Sequence, residues 1–205
     1  DETGNMSRLD SRVRELILEK FLPDSRNHRL FIQGHPESGD DFDRLLATVV
    51  AFATADAARF VLRDRLRSRA LARRVAGFSG RVYVEAGYLH LGLVKALRRR
   101  LPGIVIQPRY LLRDVYRSAG RRAHYYGPGD RLTLALIFRR RPAPERARRL
   151  AARSLIYNLL IVKEELAPGD DPFPDAAEEI RVIEYVDRLS TDRCRDLIPR
   201  LQRLK

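Results

Sequence analysis

The stretch Val82-Tyr83-Val84-Glu85-Ala86-Gly87-Tyr88-Leu89-His90 decides how this chain is read. Valine and tyrosine favour strands, and Arg81–Glu85 alternates in the manner of a strand with one buried face. Gly87 then allows a tight turn or a close backbone approach. Leu91–Arg100 has helical spacing and is stopped by Pro102-Gly103. A strand that passes through a glycine turn into a helix is the repeating unit of an α/β fold.

Working outward, Ile104–Gln107 reads as a second buried-type strand and Leu132–Phe138 as the longest apolar one, entered through Gly127-Pro128-Gly129-Asp130. Leu30–Gln33 reads as a short strand. Helical stretches lie between. Ser7–Leu22 is closed by Pro23. A long run extends from Asp40 or Asp41 toward Arg74, with an interruption expected near Thr54–Asp56, and Gly77 and Gly80 bracket its end. Tyr110–Ser118 and Pro144–Leu166 follow. Pro168-Gly169-Asp170-Asp171-Pro172 is the one good hinge. Two helices come after it, Ala176–Leu189 and Thr191–Leu204, the second capped by Thr191 and kinked or shortened at Pro199. The expected fold class is α/β, a mainly parallel sheet flanked by helices over residues 1–167. An acidic helical appendage over residues 168–205 is expected to pack on it.

The chain has 205 residues, of which 44% are hydrophobic. That suffices for one domain with its own core and excludes a disordered chain. A single cysteine, Cys194, excludes an intramolecular disulfide and a cysteine-based zinc site. No unbroken apolar run approaches the roughly 18 residues of a membrane span, and no secretory signal pattern opens the chain. A cytoplasmic protein without a membrane span is therefore the expectation. The net charge is +13, and 36 of the 40 basic residues are arginines. From Arg59 to Arg149 there are 24 basic and 5 acidic residues; from Glu164 to Asp187 there are 9 acidic and one basic. Either the acidic segment docks on a basic body and neutralises it, or the body presents an anion-binding face.

Ligands of parallel sheets sit at the carboxyl ends of strands, so the turns after Gln33 and after Glu85 matter most. His90 opens a helix, where the dipole disfavours a second positive charge and keeps the imidazole neutral. A neutral imidazole accepts a proton, binds a divalent metal or binds a haem iron. Glu85 is placed to orient it and Gly87 to let a ligand approach. His35 and Glu37, in Gln33-Gly34-His35-Pro36-Glu37-Ser38, would complete a metal or acid–base set with His90. In Leu66–Val75, Arg67 or Arg69 would hold an anionic group in bidentate fashion. The ordinary alternatives are a satisfied corner histidine, a solvated turn and a solvated arginine face. His124-Tyr125-Tyr126 with Arg121-Arg122 has the composition of a loop that stacks bases and holds phosphates.

The run Leu66–Val75 followed by Gly87-Tyr88-Leu89-His90 resembles the arginine-bearing helix and G-x-x-H motif of the Tiki/TraB/ChaN superfamily, which includes the erythromycin esterase-like proteins. The likeness covers roughly residues 59–107. The first motif of that family, a Gly-Glu-x-His-like strand end, has its nearest counterpart in Gly34-His35-Pro36-Glu37, only some 50 residues before Gly87. The resemblance therefore implies a reduced member, either a hydrolase or a binder of metal or haem, with a small anionic, ester or peptide substrate. Two other readings stand beside it. One is a non-catalytic interaction protein that keeps the fold, as a homo-oligomer or with another partner. The other is a nucleic-acid-binding protein using the Arg59–Arg149 body, which lacks tryptophan and any helix-turn-helix or zinc pattern.

Overall fold

A computed structural model describes residues 39–121, 125–162, 164, 166–167 and 169–203. Among them are seven helices and no strand: α1 (Gly39–Val75), α2 (Leu91–Arg100), α3 (Leu111–Ser118), α4 (Pro128–Ile137), α5 (Pro144–Leu160), α6 (Pro174–Val186) and α7 (Thr191–Gln202). The described chain is thus all-helical, and the expected α/β class with a parallel sheet is overturned. The expected helix Ser7–Leu22 and strand Leu30–Gln33 lie outside the described residues.

Two physical reasons account for the correction. Val82–Glu85 and Ile104–Gln107 have strand-like composition but no neighbouring ladder among the described residues, and a lone extended segment leaves its backbone groups to water. Both segments are irregular, and their side chains face out, Tyr83 and Val105 almost fully so. Leu132–Phe138 is an apolar run in which periods of two and of 3.6 both find leucines, so periodicity does not separate strand from helix. Its start signals do. Gly127 is the N-cap, Pro128 takes the first helical position and Asp130 lies in the first turn, so the run continues as α4. Leu132 and Leu136, one turn apart, meet Ala53 and Val50 of α1 and Leu150 and Ala147 of α5.

α1 is the spine. It runs unbroken through Thr54–Asp56 and packs against α2, α4 and α5. Gly77, with φ +81°, takes the left-handed position just past its end. By length and composition alone, α1 also contains an 18-residue stretch of mean hydropathy 1.7, long and apolar enough to cross a bilayer. Asp56 and Arg59 pair within it at 2.5 Å, and Phe42, Leu46, Val49, Ala53, Ala57 and Leu62 are buried. These contacts are those of a core helix.

The main core joins α1 to α5, α6 and α7: Phe42, Leu46 and Val49 meet Ala151, Ala152, Leu155 and Ile156, then Val182, Val186, Cys194 and Ile198. The C-terminal helices are thereby built into the same core as α1. Ser190, not Thr191, caps α7, its hydroxyl accepting the Arg193 N–H at 3.1 Å. Pro199 sits inside α7. Burial pushes the Cys194 thiol up to about 11, with Arg153 opposing, so it behaves as a small core residue.

Candidate functional site

Phe60, Asp64 and Arg67 lie three and four residues apart and share one face of α1. α2 crosses that face with its first turn. His90, the residue before α2, is held by a turn in which its N–H donates to the Gly87 carbonyl at 2.9 Å. Its ring packs edge-on to Phe60, with centroids 4.9 Å apart. Nδ1 stands 2.5 Å from Asp64 Oδ1, and Nε2 stands 3.0 Å from Arg67 Nη1. A guanidinium can only donate, so Nε2 accepts and the ring proton sits on Nδ1, donated to Asp64. The pair is enclosed, with side-chain exposures of 8% for His90 and 6% for Asp64, while Arg67 reaches it from the surface.

Asp64 is a buried carboxylate. Burial raises its pKa, opposed by the hydrogen bond and charge of His90, the charge of Arg67 and the Leu93 N–H. The Leu93 N–H, in the first turn of α2, also donates to the His90 carbonyl at 3.1 Å, so Asp64 on α1 shares a donor of that turn. Gly92 makes room for it: a Cβ there would lie 2.8 Å from Asp64 Oδ2. Nearby, the buried Ser68 hydroxyl donates to the Arg65 carbonyl and accepts from Arg100 Nε at 3.0 Å, a further tie between α1 and α2.

Of the residues singled out in the sequence, the structure brings together His90 and Arg67, with Gly87 in the supporting turn. Glu85 is exposed in the irregular segment, and the carboxylate on His90 is Asp64. Arg69 is exposed on α1. His35 and Glu37 lie outside the described residues, as do Arg122 and His124. Among the described residues no three His, Cys, Asp or Glu side chains converge as metal ligands. Asp64 escaped the sequence reading although a signal was there. An aspartate in register with Phe60 on a largely apolar helix needs a partner from another element.

A second polar cluster takes in Tyr125 and Tyr126, which the sequence offered as part of a base-stacking loop, and Glu179, which it did not single out. Tyr116 and Tyr157 both donate to Glu179, each at 3.1 Å, and Tyr88 donates to Asp130 at 2.7 Å. Tyr88 stacks on Tyr126, and Tyr125 donates to Glu184. Burial raises the pKa of Glu179 and of Asp130, opposed in each case by the tyrosine hydrogen bonds. Burial and the neighbouring carboxylate also raise Tyr88, Tyr116 and Tyr157, so all three hydroxyls stay protonated donors. Glu179 thus ties α3, α5 and α6 together, and Asp130 ties α4 to the segment before α2.

An uncharacterized protein of Archaeoglobus fulgidus is 32% identical to this chain over 205 residues, covering 96% of the chain and 65% of the relative's own length. The chain thus spans under two thirds of the curated relative that it matches. No protein-family model and no solved structure matches it.

Proposed function

We propose that this chain is a hydrolase domain acting on a small anionic ester, with His90 as general base, Asp64 as its orienting carboxylate and Arg67 as the anion clamp. One observation carries this reading. The His90 ring is held between a buried carboxylate on Nδ1 and a surface guanidinium on Nε2, so the basic nitrogen faces an exposed cation rather than the core. An anionic group draws the guanidinium into a bidentate contact and uncovers Nε2. Nε2 takes a proton from water, whose oxygen attacks the ester carbon. The imidazolium, stabilised by Asp64, returns the proton to the leaving alkoxide. Ester and water give acid and alcohol, and His90 ends neutral.

The test is hydrolysis of a panel of p-nitrophenyl esters, neutral and carboxylate-bearing. Expected is turnover that falls about a hundredfold to ten-thousandfold in His90→Ala. Arg67→Ala should raise KM for the anionic esters and leave the neutral ones unchanged. Activity surviving in His90→Ala, or no turnover of any panel member by the wild type, contradicts the proposal.

A second reading has its own observation. Asp64 also receives the Leu93 N–H, so the same atoms clip α1 to α2 in an interaction protein without chemistry. That reading is favoured if Asp64→Ala lowers stability while the wild type hydrolyses nothing.

A further inference from the structure

A concave cleft of about 490 Å³ opens where the start of α5 meets the loop into α7. It is lined by Arg148, Arg149, Arg153 and Arg188 together with Glu145 and Asp192. The volume falls in the range that encloses a small organic ligand. None of these residues belongs to the His90 site or to the tyrosine cluster.

The charges there do not cancel. Asp43 is shared between Arg148 and Arg195, and Asp187 between Arg131 and Arg153. Asp192 faces Arg195 at 3.8 Å. Arg149 and Arg188 are exposed and have no carboxylate partner among the described residues. The lining itself carries four guanidinium groups, Arg148, Arg149, Arg153 and Arg188, against the two carboxylates of Glu145 and Asp192, an excess of two positive charges. Arg153 registers the crowding: burial lowers its pKa and Arg149 and Arg131 push the same way, against Asp187. Arg153 Nε donates to the Leu189 carbonyl at 2.9 Å, which holds that side chain in the wall.

We propose that this cleft binds a phosphorylated small molecule. A phosphate ester dianion matches the excess of two charges. Its three terminal oxygens suit the forked donors of Arg149 and Arg188, the two side chains with no carboxylate of their own. Leu189 supplies an apolar wall for the rest of the ligand. A pocket set between two helix starts, rather than a basic stripe along one face, fits a molecule of nucleotide size and not a duplex.

The experiment is calorimetric titration of the chain with inorganic pyrophosphate at low and moderate salt. Expected is saturable one-to-one binding that weakens with salt. It should weaken at least tenfold in the double variant Arg149→Gln, Arg188→Gln. The exposed pair Arg140→Gln, Arg141→Gln removes the same charge outside the cleft and should change binding less than twofold. Because Arg149 and Arg188 are exposed and make no ion pair among the described residues, their variant should keep the wild-type melting curve. Four results overturn the proposal: no saturable binding of pyrophosphate at millimolar concentration, an unchanged affinity in the cleft variant, equal weakening in both variants, or binding of a single-stranded oligonucleotide with none of pyrophosphate.

Discussion

Asp64 reaches across from α1 to hold both the His90 ring and the first turn of α2, and Gly92 is the residue that lets it come so near. Alanine in a helix is ordinarily favoured over glycine by about 1 kcal/mol. At position 92 the added Cβ would displace a carboxylate that two hydrogen bonds restrain. Gly92→Ala should therefore lower stability in urea unfolding by about 1 kcal/mol, in line with a strained buried contact. In an Asp64→Ala background the same change should raise stability. Equal effects in both backgrounds would show that the close approach carries no energy. His90 itself was legible in the sequence, because a histidine after Gly-Tyr-Leu at a helix start is a local pattern. Its partner was not. Glu85 is near in sequence, but Asp64 is near in space, and only the crossing of α1 and α2 brings it there.

At the scale of elements, the helix Leu91–Arg100 has the bounds that its spacing and the Pro102-Gly103 stop imply. Leu132–Phe138 went the other way because its leucines fit a period of two and one of 3.6 alike, and the proline at the first position of α4 decided for the helix. Val82–Glu85 shows the limit of strand propensity, which describes a residue's fit to a pleated neighbour and fails where the described residues offer none. The helices that do form are tied together by Glu179, which accepts from Tyr116 of α3 and Tyr157 of α5. Glu179→Ala removes a charged acceptor from two tyrosines, and stability should fall by about 2 kcal/mol. Glu179→Gln keeps one carbonyl acceptor and should lose about half as much. A Glu179→Ala protein that unfolds at the wild-type urea midpoint would remove the cluster from the list of things that hold the fold.

Across the whole molecule, the charge asymmetry of the sequence becomes specific pairings: Arg121 with Glu184, and Arg131 and Arg153 with Asp187. Such half-exposed pairs contribute roughly 0–1 kcal/mol each. The buried Ile180, Ile183 and Val186 of α6 contribute more per residue. The other arginines are spread along α1, at the end of α2 and beside α7, and the total of +13 alone does not locate them. The functional reading rests on one geometric relation within this assembly, the orientation of the His90 ring between α1 and the surface. Long-range proton–nitrogen NMR of the labelled chain tests it most directly. Expected is an imidazole protonated on Nδ1 and bare on Nε2, with the Nδ1 resonance moving in Asp64→Asn and the Nε2 resonance moving in Arg67→Ala. A His90 ring protonated on Nε2, or one whose nitrogens ignore both substitutions, would contradict it.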